Sequence, residues 1–147
     1  SQMISGIPGE VAFDGPTRAA GVVIDSATAA NNVFGRAMTY NDNTVESVQA
    51  GGAGVFAGIL IHPKAYAIDG IAMPNGAQGE VLFMGEVYVE LTTDGGVIGD
   101  LVWFDTATGE LGHGTAGAGQ TQIPNCVISR HNVSPETPTL AVIKLTN

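Results

Sequence analysis

Three carboxylates stand close together in the stretch GDLVWFDTATGEL, residues 99–111. Asp100, Asp105 and Glu110 could bind a metal ion, supply a pair of catalytic acids or cap the ends of a hairpin. If the apolar run LVWF is a buried strand, Asp100 and Asp105 lie roughly 16 Å apart at about 3.3 Å per residue. A glycosidase pair needs about 5 to 10 Å. The spacing therefore favours a structural role for these acids.

The residues around the acids are typical of a hairpin. In DTATG, Asp105 can accept hydrogen bonds from the backbone amides that follow it, and Gly109 can adopt the left-handed conformation that closes a bulged turn. The run that contains Trp103 is apolar at successive positions, which predicts a buried strand. We expect a structural hairpin built on Gly99, Asp100, Trp103, Asp105 and Gly109, with no catalytic, cofactor-binding or metal-binding residues.

Other chemical motifs are weak. The stretch GAGVFA (52–57) matches a dinucleotide fingerprint, but Pro63 follows too soon for the helix that would hold the pyrophosphate. The stretch GGVIGD (95–100) lacks a glycine that the calcium nonapeptide requires, and nothing repeats. Cys126 lies in an apolar stretch and is expected to be buried and inert. Three histidines lack metal-ligand spacing and are expected at the surface or in loops: His62, His113 and His131. These observations predict neither an enzyme nor a cofactor.

Charge and cysteine content exclude several classes of function. The 147 residues carry 14 acidic and 5 basic side chains, a formal net charge of −9. Nucleic acid and anionic membranes would be repelled, because both are bound by clustered Lys and Arg. The single cysteine cannot form an internal disulfide, which fits assembly in a reducing cytosol. The first residues lack the basic and long apolar regions of a secretory signal.

Short strands separated by turns dominate the pattern. Residues 80–91 alternate apolar and acidic side chains with the period of a half-buried strand, and Met84–Gly85 interrupts them as a bulge or bend would. The best place for one short helix is 25–33, where Asp25 or Ser26 can serve as its cap. Further strands are predicted at 21–26, 32–41, 44–50, 55–61, 101–104, 125–130 and 139–146. The pattern predicts an all-β protein, a β-sandwich or jelly roll of about eight or more short strands, with an N-terminal arm at 1–9 and a single domain at 10–147.

Several of these stretches in order resemble a known family. The sequence contains GRAMTY (Gly35 to Tyr40), FAGI (Phe56 to Ile59) and a late hairpin. The hairpin matches at Gly99, Asp100, Val102, Trp103, Asp105, Thr108 and Gly109. This order is similar to that of the structural cement, or head decoration, proteins of tailed bacteriophages, over roughly residues 10–112.

The resemblance implies a β protein without catalytic residues that binds the outside of an icosahedral capsid. Its partners would be the major capsid protein and further copies of itself, as a dimer or trimer. It would be made in the host cytoplasm and reside on the virion surface. The alternative is a non-catalytic β-sandwich module that binds carbohydrate or belongs to a tail. A hydrolase ranks third, and requires the histidines and acids to converge in one cleft.

Two stretches are more apolar than free loops should be. One is the leader, residues 1–10, and the other is residues 62–76. Because loops and edges are what a sandwich presents to its partners, we expect these stretches to contact the capsid or another copy. The candidate interface residues are Met3, Ile4, Ile7, Tyr66, Ile68, Ile71 and Met73.

Overall fold

Apart from one short 3₁₀ turn, all the regular secondary structure in the described part of the chain is β-strand. The structure is a computed structural model, and it describes residues 8–12, 17–42, 46–62, 72–93, 96–130 and 139–146. These residues form nine strands: β1 (Arg18–Ile24), β2 (Ala37–Tyr40), β3 (Ser47–Ala50), β4 (Phe56–Ile61), β5 (Gln78–Leu91), β6 (Leu101–Asp105), β7 (Leu111–His113), β8 (Gln120–Arg130) and β9 (Thr139–Thr146). One 3₁₀ turn, Ala29–Asn31, is the only helical element among them. The predicted all-β class, with at least eight short strands and at most one short helix, is confirmed.

The hydrogen bonding closes the strands into two rings. The strand order is β1-β3-β2-β4-β5-β7-β6-β8-β9, and β5 also pairs with both β1 and β9. The first ring therefore runs β1-β3-β2-β4-β5 and returns to β1, and the second runs β5-β7-β6-β8-β9 and returns to β5. Most pairings are antiparallel, but β1–β3 and β5–β7 are parallel. This double closure is a feature that strand prediction alone did not provide.

The long strand β5 belongs to both rings and changes partners near its middle. Its first part pairs with β1 and β4, and its second part pairs with β9 from Met84 to Leu91. The register with β1 shifts opposite Phe83, between Leu82 and Met84. Gly85, which follows Met84, has a φ of 127°, a backbone conformation that residues other than glycine rarely adopt. The interruption seen in the sequence thus coincides with the point where β5 passes from one ring to the other.

The buried apolar side chains form two clusters, and strand β4 lies between these clusters. Leu60 packs in the first cluster with Val22, Ile24, Met38, Val48 and Val81. Its neighbours Ile59 and Ile61 pack in the second cluster, with residues of β5 to β9. Successive side chains of a strand point to opposite faces. The run FAGILI is therefore apolar at successive positions because both faces of β4 are covered.

A buried polar network holds the segment between β1 and β2. Asn32 is fully buried; its amide Nδ2 donates to Met73 O at 2.8 Å and to Asn75 Oδ1 at 2.9 Å. Ser26 Oγ donates to Asn32 Oδ1 at 2.5 Å and accepts the N–H of Ala50 at 2.9 Å. The expected capping role of Asp25 or Ser26 was wrong: the 3₁₀ turn begins after Thr28, with no side-chain cap bond. Ser26 joins β1 to β3 instead.

Several strands differ from those predicted, and β1, for example, spans Arg18–Ile24 rather than residues 21–26. Strand β2 begins at Ala37 rather than at residue 32, because Gly35 has a φ of 91° and makes a turn there. Strand β7 has only three residues, too few for a periodic pattern. Strand β8 begins at Gln120, five residues early, and passes through Asn125 with a φ of 52°. In the described residues, no helix has the length and apolar character needed to cross a bilayer.

Candidate functional site

Asp100 lies just before β6 and accepts hydrogen bonds locally. Its Oδ2 accepts the N–H of Val97 at 2.9 Å and lies 3.3 Å from Nδ1 of His113. The backbone of Gly99 and Asp100 also pairs with Ile128 of β8. The carboxylate thus links the loop before β6 to β7, while the backbone of the same loop links it to β8.

Asp105 and Gly109 organise the turn that connects β6 to β7. Asp105 Oδ1 accepts the N–H of Ala107 at 2.7 Å, and the Asp105 carbonyl accepts the N–H of Gly109 at 2.8 Å. Gly109 has a φ of 80°, in the region that favours glycine. Asp100 and Asp105 thus stand at opposite ends of β6, each binding a backbone amide of its own loop.

Trp103 is buried between these two ends. It is 8% exposed, and its Nε1 donates to the carbonyl of His113 at 3.1 Å. It pairs with Gly112 of β7, where a Cβ would overlap the indole ring. An aromatic ring covering a cross-strand glycine shields the backbone there. A ring in this position cannot serve as a platform for stacking on sugars.

The β6–β7 turn docks on the first ring, and we call this contact the inter-ring junction (Arg36, Ala37, Gly51, Gly109, Glu110). The N–H of Ala37 donates to Gly109 O at 2.9 Å, and the N–H of Gly52 donates to Thr106 O at 2.7 Å. Arg36 Nη1 donates to the carbonyl of Thr108 at 3.2 Å, and Nη2 lies 3.6 Å from Glu110 Oε2. Backbone bonds and one ion pair therefore fix the second ring on the first.

The three stretches that carry the family resemblance meet at this junction. Ala37 lies in GRAMTY, Ile59 in FAGI and Gly109 in the late hairpin. Ala37 is paired with Ile59 across β2 and β4, and its N–H binds Gly109 O. A Cβ at Gly109 would lie 2.7 Å from Ala37 O and 2.9 Å from Gly51 N. Residues far apart in the sequence thus form one close backbone contact.

Most of the candidate interface residues lie outside the described residues. These are Met3, Ile4, Ile7, Tyr66, Ile68 and Ile71. Met73 is described: its N–H donates to Asn32 O, and its side chain packs partly buried against the first cluster. At the end of the leader, Gly9 to Ala12 runs antiparallel to β5, with hydrogen bonds to Glu86 and Tyr88. That these other six residues contact the capsid or another copy stays a prediction.

A group of exposed aliphatic side chains was missed in the sequence. Val97 and Ile98 are 63% and 64% exposed, and Leu101 at the start of β6 is 47% exposed. The signal was available, since Val97 and Ile98 stand between glycines in a loop with no polar alternation. Large apolar side chains grouped at the surface are typical of a contact with another protein.

The ionisable side chains show no arrangement for catalysis in the part of the chain that is described. No three His, Cys, Asp or Glu residues there are grouped to hold a metal ion. Burial raises the pKa of the Cys126 thiol from 9.0 to about 12, so this thiol is a poor nucleophile. The prediction of a surface or loop position did not anticipate that His113 is part of strand β7, where its side chain is partly exposed. His62 lies in the loop after β4, as predicted, and its ring stacks on Phe34 with centroids 4.1 Å apart. Both of its ring nitrogens are buried and lack a partner within the described ranges.

The described residues form a closed β architecture in which the motif residues hold turns and strands together. A solved structure with this fold is titled "The capsid of Myoviridae Phage XM1"; it has a TM-score of 0.70 and 16% sequence identity. The match covers 100% of this chain and 94% of that chain. No curated protein sequence matches the chain.

The family is given by a match over nearly the whole chain. Residues 1–146 match the family model described as "Structural cement protein (E217 gp24/Pam3 gp6)". The chain therefore belongs to the structural cement proteins of bacteriophages, as the resemblance in the sequence indicated.

Proposed function

We propose that this protein binds the outside of a bacteriophage capsid and cements neighbouring major capsid subunits, without catalysing a reaction. The observation that carries the proposal is the family match over residues 1–146. The capsid structure that shares the fold supports it.

The architecture suits a molecule that must resist deformation between two partners. Two closed hydrogen-bonded rings share β5, and the inter-ring junction adds direct backbone bonds between them. A ligand that binds the assembled lattice in preference to separated subunits stabilises the lattice by mass action. A rigid cement loses less conformational entropy on binding than a flexible one, so more of its contact energy is retained.

The proposal includes the place and the partners of the protein. It is made in the host cytoplasm, resides on the virion surface and binds no nucleic acid or membrane, in keeping with its net charge of −9. It acts as a dimer or trimer. Several weak contacts made together by one oligomer gain effective concentration, so the oligomer binds the capsid more tightly than a single copy would. Sedimentation at micromolar concentration tests this last point, and a monomer would contradict it.

The test uses capsids from a phage that lacks the gene for this protein. Purified protein is added back, and its copy number per capsid and the temperature of DNA release are measured. We expect saturable binding and a higher release temperature. Capsids that bind no protein, or that bind it without gaining heat resistance, would contradict the cement role.

The leader is tested in the same assay by deleting residues 1–7. If the leader contacts the capsid, the copy number falls while the melting temperature of the isolated protein stays the same. Full occupancy together with wild-type capsid stability would refute a role for the leader.

A further inference from the structure

A groove of about 410 Å³ lies beside β1 and the start of β5, on the first ring. Its apolar wall is formed by Val22, Val23, Phe34, Ile61 and Met73. Val23 is 40% exposed although it is a large aliphatic residue within a strand. The groove therefore offers apolar surface to a side chain that enters from solvent.

The charge on the groove is of one sign. Glu46 and Glu80 both line it and are exposed. Among the described residues that line it, there is no Lys, Arg or His. Two carboxylates beside an apolar wall fit a side chain with an aliphatic stem and a cationic head.

We propose that this groove receives a segment of a capsid subunit in which a lysine or arginine stands next to an apolar residue. The stem and the apolar neighbour would pack on Val23 and Met73, while the cationic head would pair with Glu46 and Glu80. This inference rests on the proposed function and assigns one of its contacts. The groove suits a basic segment of the shell better than a second copy, because its charged lining residues are both acidic and a copy offers only 5 basic against 14 acidic side chains.

Gly21 allows the groove to be filled without disturbing the fold. It lines the groove, and a Cβ there would meet nothing within 4 Å. Gly21→Leu should reduce the affinity for cement-free capsids at least tenfold at an unchanged melting temperature. The control is Gly117→Leu, since a Cβ there meets only Gln120 Oε1, at 3.5 Å, and Gly117 lies outside the groove. This control should bind as the wild type does.

Charge reversal tests the cationic head separately. Glu80→Lys should weaken binding at least tenfold. It should also make the affinity less sensitive to salt between roughly 50 and 500 mM, a range over which screening of charges becomes stronger. Asp25→Lys makes the same change in net charge at an exposed position after β1 that does not line the groove. It should leave both quantities near the wild-type values. Equal effects of the two reversals would overturn the inference.

The outcomes separate this inference from the proposed function. If wild-type protein does not bind cement-free capsids, the proposed function fails. If wild type, Gly21→Leu and Glu80→Lys all bind equally well, the cement role stands and the groove is not a contact. A photo-crosslinker at Val23 gives an independent result, because a crosslink to a capsid segment with a lysine or arginine supports the inference, and a crosslink to a second copy overturns it.

Discussion

Gly109→Ala should destabilise this protein far more than the addition of one methyl group would suggest. Two effects add at this position. The residue has a φ of 80°, and its Cα faces the backbone of the other ring. An alanine Cβ would stand 2.7 Å from Ala37 O and 2.9 Å from Gly51 N, which is closer than real Cβ atoms approach backbone.

The magnitude follows from these two effects. A left-handed conformation costs an L residue about 1–2 kcal/mol. Pushing Ala37 and Gly51 away weakens their two buried backbone hydrogen bonds, and a buried polar group without a partner costs about 1–3 kcal/mol. We therefore expect a loss of about 2–5 kcal/mol in the free energy of unfolding. For a chain of this size, a loss of 3 kcal/mol corresponds to a melting temperature lower by about 6–12 °C.

Gly99→Ala is the matched control. Gly99 has a φ of 95°, but a Cβ there meets nothing within 4 Å, so only the conformational cost of about 1–2 kcal/mol applies. Urea denaturation followed by tryptophan fluorescence compares the two variants. Equal losses for Gly109→Ala and Gly99→Ala would refute the claim that the junction is a tight contact between the rings.

Five further predictions concern single side chains. Trp103→Ala should cost about 3–5 kcal/mol, and iodide should quench the native fluorescence only weakly, because the ring is buried. Asp105→Ala should cost about 1 kcal/mol, as the loss of a cap does, while Asp100→Ala should leave the metal content unchanged in elemental analysis after chelator washing. Asn32→Ala should cost about 3 kcal/mol in urea denaturation, since it leaves several buried partners without a hydrogen bond. The free energy of unfolding should fall between pH 9 and about 12 relative to Cys126→Ala: the unfolded thiol loses its proton above its ordinary pKa, but the folded thiol keeps it up to a pKa of about 12.

Much of the strand pattern could be predicted from local sequence. The alternation at residues 80–91 predicted β5, and Met84–Gly85 marked the place where it changes partners. The apolar run at 56–61 indicated a strand, and its lack of alternation reflects burial on both faces. These features are visible because side-chain periodicity and glycine conformation are properties of neighbouring residues.

What the tertiary structure alone decided is which distant residues meet. The pairings of β1 with β5 and of β5 with β9, which close the two rings, join segments far apart in the chain. The contact of Gly109 with Ala37, the buried position of Asn32 and the acidic groove beside β1 all depend on that closure. No local pattern encodes them, because strand pairing is set by the mutual fit of two complete hydrophobic faces and turns rather than by either strand alone.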